Sequence, residues 1–167
     1  MPTTELLSEA QIWDLLGTIP DPEVPAISIV ELGVVRDVKV NGNSVEIAIT
    51  PTYNGCPALK MMEAQVKEKL ENRNLHVTIR MVYKPAWTTD WMAEGTLQKL
   101  KDYGIAPPAK LSFAHIHPLS PLVKEPVACP FCNAKNTQLT SQFGSTACKA
   151  LYFCDSCHQP FEHFKCH

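Results

Sequence analysis

An α+β fold is what this 167-residue chain predicts: a small α-β-β-α-β-α domain with a three-stranded sheet, followed by a C-terminal module stapled by metal. Three observations carry that expectation. Helical and strand periodicities alternate through residue 105. Two β-branched runs flank Asn41-Gly42-Asn43, a strong hairpin signal. Two CxxC knuckles, Cys129-Pro-Phe-Cys132 and Cys154-Asp-Ser-Cys157, close the tail. The expected organisation is a domain over residues 1–105, a Pro-rich linker over 106–128 and a four-cysteine module over 129–167.

In order, Glu5 to Gly17 reads as an amphipathic helix presenting Leu6, Ile12, Trp13, Leu15 and Leu16. Ser8 and Gln11 have the spacing of a capping box if that helix starts late. Three prolines between Pro20 and Pro25 exclude regular helix there. Strands follow at Val34 to Val40 and Val45 to Thr50, and a third at His76 to Tyr83 with Val77, Ile79 and Met81 on one face. Between the second and third, a helix runs to about Leu70, buried through Met61, Met62, Val66 and Leu70. Pro57 suits its first position, which makes Cys56 the expected N-cap. A last helix is expected from Thr89 to Tyr103, with Gly104 as its stop.

Six of the seven cysteines lie in the last 39 residues. Two residues between thiolates let both sulfurs of a tight turn reach one ion, so paired knuckles close a tetrahedral site of Cys129, Cys132, Cys154 and Cys157. Zinc is the expected metal, with rubredoxin-type iron as the alternative. Two disulfides are the bland reading. The N-terminus carries Glu5 and Glu9 and lacks an apolar h-region, so the expectation is a cytoplasmic, reducing setting that favours metal. Cys148 reads as a packed apolar residue and Cys166 as a loosely held terminal thiol, with both as extra ligands the alternative. Phe131, Phe143, Tyr152, Phe153, Phe161 and Phe164 are expected to shield the site. His115 and His117 are read as exposed, and Trp87 and Trp91 as core. A net charge of −2 and a pI near 6.3 give no nucleic-acid footprint. No run of 18 apolar residues exists to span a membrane.

Cys56 is the lone cysteine outside the tail. At a helix start, free N–H groups and the macrodipole favour the thiolate, so a depressed pKa is expected. That makes it a candidate nucleophile or soft-metal ligand; a small buried apolar residue is the competing reading. A dyad with His76 has no support in the spacing.

Asp21-Pro22-Glu23-Val24-Pro25, then Ser28-Ile29-Val30-Glu31-Leu32-Gly33-Val34-Val35, then Thr50-Pro51-Thr52-Tyr53-Asn54-Gly55-Cys56-Pro57 resemble the metal–sulfur cluster biosynthesis family. That family includes the SufT-like bacterial proteins and the MIP-type subunit of the eukaryotic cytosolic iron–sulfur targeting complex. The match covers roughly residues 8 to 105. Trp87-Thr88-Thr89-Asp90-Trp91-Met92, Tyr103-Gly104-Ile105-Ala106-Pro107-Pro108 and the stretch Phe143 to Tyr152 extend the likeness over nearly the whole chain. There it resembles the accessory-subunit family of bacterial phenylacetyl-CoA epoxidase.

The resemblance implies a non-enzymatic role in iron–sulfur cluster assembly for the oxygenase complex of aerobic phenylacetate degradation. Its expected partners are the epoxidase subunits, foremost the iron–sulfur flavin reductase. It makes Cys56 the residue for transient cluster or metal transfer, with Asp21 and Thr52 near it. One thiolate cannot hold a cluster alone, so the cargo is transient, completed by another ligand such as Asp21, or shared in a homodimer with two facing Cys56 thiolates. The alternatives are a structural adaptor of the complex, or a thiol enzyme for which no base or oxyanion motif accompanies Cys56.

Overall fold

The computed structural model describes residues 7–108 and 126–165, in two compact units that meet in sequence between Thr96 and Leu97. In the first unit, helix α1 (Glu9–Leu16) is opened by Ser8. Its hydroxyl accepts from the Gln11 amide at 3.3 Å while the Gln11 side chain accepts from the Ser8 amide at 2.8 Å, the reciprocal box the spacing predicts. Strands β1 (Val35–Asn41) and β2 (Ser44–Ile49) form an antiparallel hairpin closed around Gly42 and Asn43. Gly42 has φ +59°, as such a tight turn requires.

Helix α2 (Ala58–Glu71) then crosses over so that β3 (His76–Met81) lies parallel to β2, in the order β1-β2-β3. Ala58, Met62, Val66 and Leu70 are its buried side, while Met61 is 56% exposed. The expectation for Met61 fails because the buried stripe runs through residues four apart and leaves position 61 on its flank. Ile12, Leu16, Val45, Ile47 and Ile49 are also fully buried.

The proline-rich stretch after α1 is an ordered, largely buried loop. Pro20 bridges Ser28, Asp21 N–H donates to Ile27 O at 2.8 Å, and Val24, Ile27 and Ile29 are buried. The helix expected from Thr89 to Tyr103 is broken into a 3₁₀ turn, Thr89–Trp91, and α3 (Thr96–Asp102). Tertiary hydrogen bonds explain the break. Ala93 N–H donates to Glu31 O at 2.8 Å and Trp87 Nε1 to Leu32 O at 3.0 Å, which holds the chain away from a continuous helix. Trp87 is buried, and the half-buried Trp91 ring carries the Arg36 guanidinium at 3.6 Å.

In the second unit, β4 (Ile105–Ala106), β5 (Thr137–Ser141), β6 (Lys149–Cys154) and β7 (Pro160–Phe164) form a sheet in the order β4-β7-β6-β5. Ile105–Ala106, whose second residue opens the expected linker, thus pairs in parallel with Glu162 and His163. Residues 109–125, most of the expected linker, lie outside the described residues, as do His115 and His117. Ala106, Cys129, Cys154 and Phe161 make a small core, with Tyr152 stacked on Phe161 at 5.7 Å. Phe161 and Tyr152 cover it as expected and Phe164 is buried, but Phe131 and Phe143 are 57% and 65% exposed. A turn residue on a knuckle and one at a hairpin tip have no neighbouring layer to cover them. No described helix is long and apolar enough to cross a membrane.

Gly33 has φ +76°, and a Cβ there would lie 2.5 Å from Trp91 O. Gly33→Ala should therefore cost about 3 kcal/mol in chemical denaturation, whereas Gly42→Ala, which meets nothing within 4 Å, should cost about 1 kcal/mol.

Candidate functional site

Two arrangements of chemistry-bearing side chains stand out, one in each unit. In the second, the sulfurs of Cys129, Cys132, Cys154 and Cys157 all lie within 4.8 Å of one another. Cys129 Sγ is 3.7 Å from Cys157 Sγ, and Cys132 Sγ is 3.5 Å from Cys154 Sγ. Disulfides would bring sulfurs to about 2.0 Å, so these are free thiols. A tetrahedral metal with sulfur bonds of about 2.3 Å separates its ligands by about 3.8 Å, which the set fits.

The turns that build the site also tune it. Backbone amides of Cys157 and Ser156, working against burial, draw the Cys154 thiol down to about 7. Burial first, then neighbouring thiols, push Cys157 up to about 12. A dication at their centre would let all four ionise. Cys148 is not in the set: it is buried, with its sulfur 3.1 Å from Thr146 Oγ1. Cys166 and His167 lie outside the described residues. His163 is part-buried, with Nδ1 3.2 Å from Ala106 O, and burial holds its pKa below the usual value.

The second arrangement surrounds Cys56. The βαβ crossover places the β2–α2 connection, residues 50–57, at the carboxyl ends of two parallel strands, where α/β units commonly bind ligands. Gly55 at φ +82° turns the chain so that Cys56 N–H donates to Tyr53 O at 3.3 Å. Pro57, rather than Cys56, is the N-cap, one position later than expected. The Cys56 side chain is only 9% exposed.

Its thiol is pushed above the ordinary cysteine value, opposite to the expectation. Burial is the largest cause. The Ala58 amide at the helix start does favour the thiolate, as do the Thr52 and Tyr53 side chains, but the Glu23 carboxylate opposes them. Thr52 thus acts on the Cys56 thiol, and so do Glu23 and Tyr53, which sequence did not single out. Both stand within the quoted motifs, but only folding shows which motif residues face the sulfur. Asp21 is 3% exposed, and its Oδ1 accepts from the Glu23 and Val24 amides at 2.9 and 2.7 Å. It thereby fixes the turn that carries Glu23.

Comparison with known proteins gives concordant results. Residues 9–80 match the family model described as iron–sulfur cluster assembly protein, and residues 120–165 match the PaaD zinc β-ribbon domain. The chain is 47% identical over 157 residues to an Escherichia coli protein named as a component of 1,2-phenylacetyl-CoA epoxidase, covering 93% of this chain and 92% of that one. It is 31% identical to the Fe-S protein maturation auxiliary factor of Porphyromonas gingivalis, over 57% of this chain and 92% of that one. Among solved structures, a domain of unknown function, DUF59, from Bacillus anthracis aligns with a TM-score of 0.52 and 28% identity, over 55% of this chain and 90% of that one.

Two outcomes are expected. Cys154→Ser should purify with less than about a tenth of the wild-type metal content while Cys148→Ala keeps it, read by elemental analysis. Alkylation of Cys56, followed by mass spectrometry, should have a pH midpoint above that of free cysteine. Glu23→Gln should lower that midpoint and Thr52→Ala should raise it.

Proposed function

The chain belongs to the PaaD family, which joins an iron–sulfur cluster assembly domain to a zinc β-ribbon, and from that premise we propose that it is a non-enzymatic maturation factor for the iron centres of a phenylacetyl-CoA epoxidase complex. Its client in this reading is the iron–sulfur flavin reductase. The observation that carries the reading is the convergence of the Asp21–Pro25 loop and the Thr50–Pro57 loop on one thiol, through Glu23, Thr52 and Tyr53.

The chemistry follows from that environment. A buried, protonated thiol is protected from adventitious metals and oxidants between encounters. When a cluster or iron arrives as cargo, the sulfur exchanges its proton for a metal bond. The Ala58 amide and the Thr52 and Tyr53 side chains then hold the anion formed. One thiolate is too few ligands for retention, so client thiolates or a facing second copy complete the set. The four-cysteine site would hold zinc as a folding staple for the second unit. The depth of Cys56 favours one second reading, a structural adaptor in which this thiol only packs.

The test measures iron and acid-labile sulfide in the co-expressed reductase with this chain present, absent, or carrying Cys56→Ser. Maturation predicts that both fall in the absent and mutant cases, with complex formation unimpaired by Cys56→Ser. Full loading in all three cases overturns it for this client.

A further inference from the structure

The stretch Phe143 to Tyr152 is a motif of the tail for which metal binding gives no reason. The structure assigns it a mechanical role. Lys149 is only 4% exposed, and its Nζ reaches Glu162 Oε2 at 2.8 Å. Burial opposes ionisation of Glu162, but Lys149 and the Ser145 amide and hydroxyl outweigh it and hold the carboxyl below its usual range. Glu162 Oε1 also accepts the Ser145 amide at 2.6 Å. A Cβ on Gly144 would lie 2.6 Å from that oxygen, so any larger residue there would make the Glu162 carboxylate shift from its place.

Further bonds close the hairpin tip from both sides. Gly144 N–H donates to Lys149 O at 2.8 Å, and Lys165 N–H to Cys148 O at 2.9 Å. Lys165 Nζ donates to Gln142 O at 3.1 Å and stands 4.7 Å from the Phe143 ring centroid. A loop tied down this thoroughly is not a passive connection. At its summit it presents a 65% exposed aromatic ring with an ammonium fixed beside it. Orienting such a ring in advance removes most of the ordering cost of burying it in another molecule.

We propose that the 142–148 loop is a docking element whose Phe143 enters an apolar pocket on a protein partner, with a partner carboxylate at the pocket rim meeting Lys165. The charge pattern selects that partner. Among the described residues Lys149 and Glu162 pair with each other, while the Lys165 ammonium stands beside the ring. An acidic rim is matched there and a basic one rejected. The occupant is a component of the epoxidase complex, so the inference rests on the proposed function.

The experiment titrates the full, metal-loaded chain against the purified epoxidase subunits by calorimetry. Phe143→Ala should weaken binding about tenfold or more, as loss of a central aromatic anchor does. Lys165→Glu should weaken it too, and remove part of its salt dependence. Both variants should keep wild-type metal content, and Phe143→Ala the wild-type melting temperature. If the wild type binds and Phe143→Ala binds within twofold of it, the docking surface is wrong and the maturation reading stands. If the wild type binds no subunit, the docking proposal is wrong, and the maturation reading is decided separately by the iron and sulfide content of the co-expressed reductase. Self-association that Phe143→Ala abolishes, with binding to the epoxidase unchanged, assigns the loop to a second copy and also overturns the proposal.

Discussion

Parallel pairing of β2 with β3 is the constraint from which the first unit follows. Parallel neighbours cannot be joined by a tight turn, so the chain must climb back through α2. The connection into that helix then emerges at the carboxyl ends of the strands, carrying Thr52, Tyr53 and Cys56 with it. The ladder runs without a shift from Ser44 opposite His76 to Ile49 opposite Met81, and fully buried Ile47 and Ile49 lock it. A slip of one residue would turn those side chains to the opposite face. The thiol's setting is thus fixed by backbone pairing rather than by local preference.

The second unit obeys a different constraint. Its apolar cluster is small, and two of the four fully buried members are the cysteines 129 and 154. Two of the four sulfurs are thus part of that cluster, and an ion held by the set would tie the knuckles of this unit to its packing. What the sheet adds is a platform. Its hairpin end is secured by the ion pair of buried Lys149 with half-buried Glu162, and removing Glu162 would leave the Lys149 charge buried and unpaired.

Features set by neighbours in sequence are legible in the chain itself. The Ser8–Gln11 box, the Asn41-Gly42-Asn43 turn, the Gly104 stop and both knuckles depend on residues within a few positions of one another. Features set across the fold are not. The break between Trp91 and Thr96 depends on the carbonyls of Glu31 and Leu32, some sixty residues away in sequence. The direction of the Cys56 shift escapes a local reading for the same reason: the helix start argues for the thiolate, whereas burial and Glu23 come from elsewhere in the chain. Only pairing with Glu162 and His163 shows that Ile105 and Ala106 belong to the sheet of the tail.

The central claim is that Cys56 hands cargo directly to a client. The most direct measurement loads this chain with a cluster, mixes it anaerobically with apo-reductase, and follows the visible circular dichroism of the acceptor with and without an iron chelator. Direct transfer predicts signal growth that the chelator leaves unchanged and that Cys56→Ser abolishes. Growth quenched by the chelator, or equally fast with Cys56→Ser, would contradict the account.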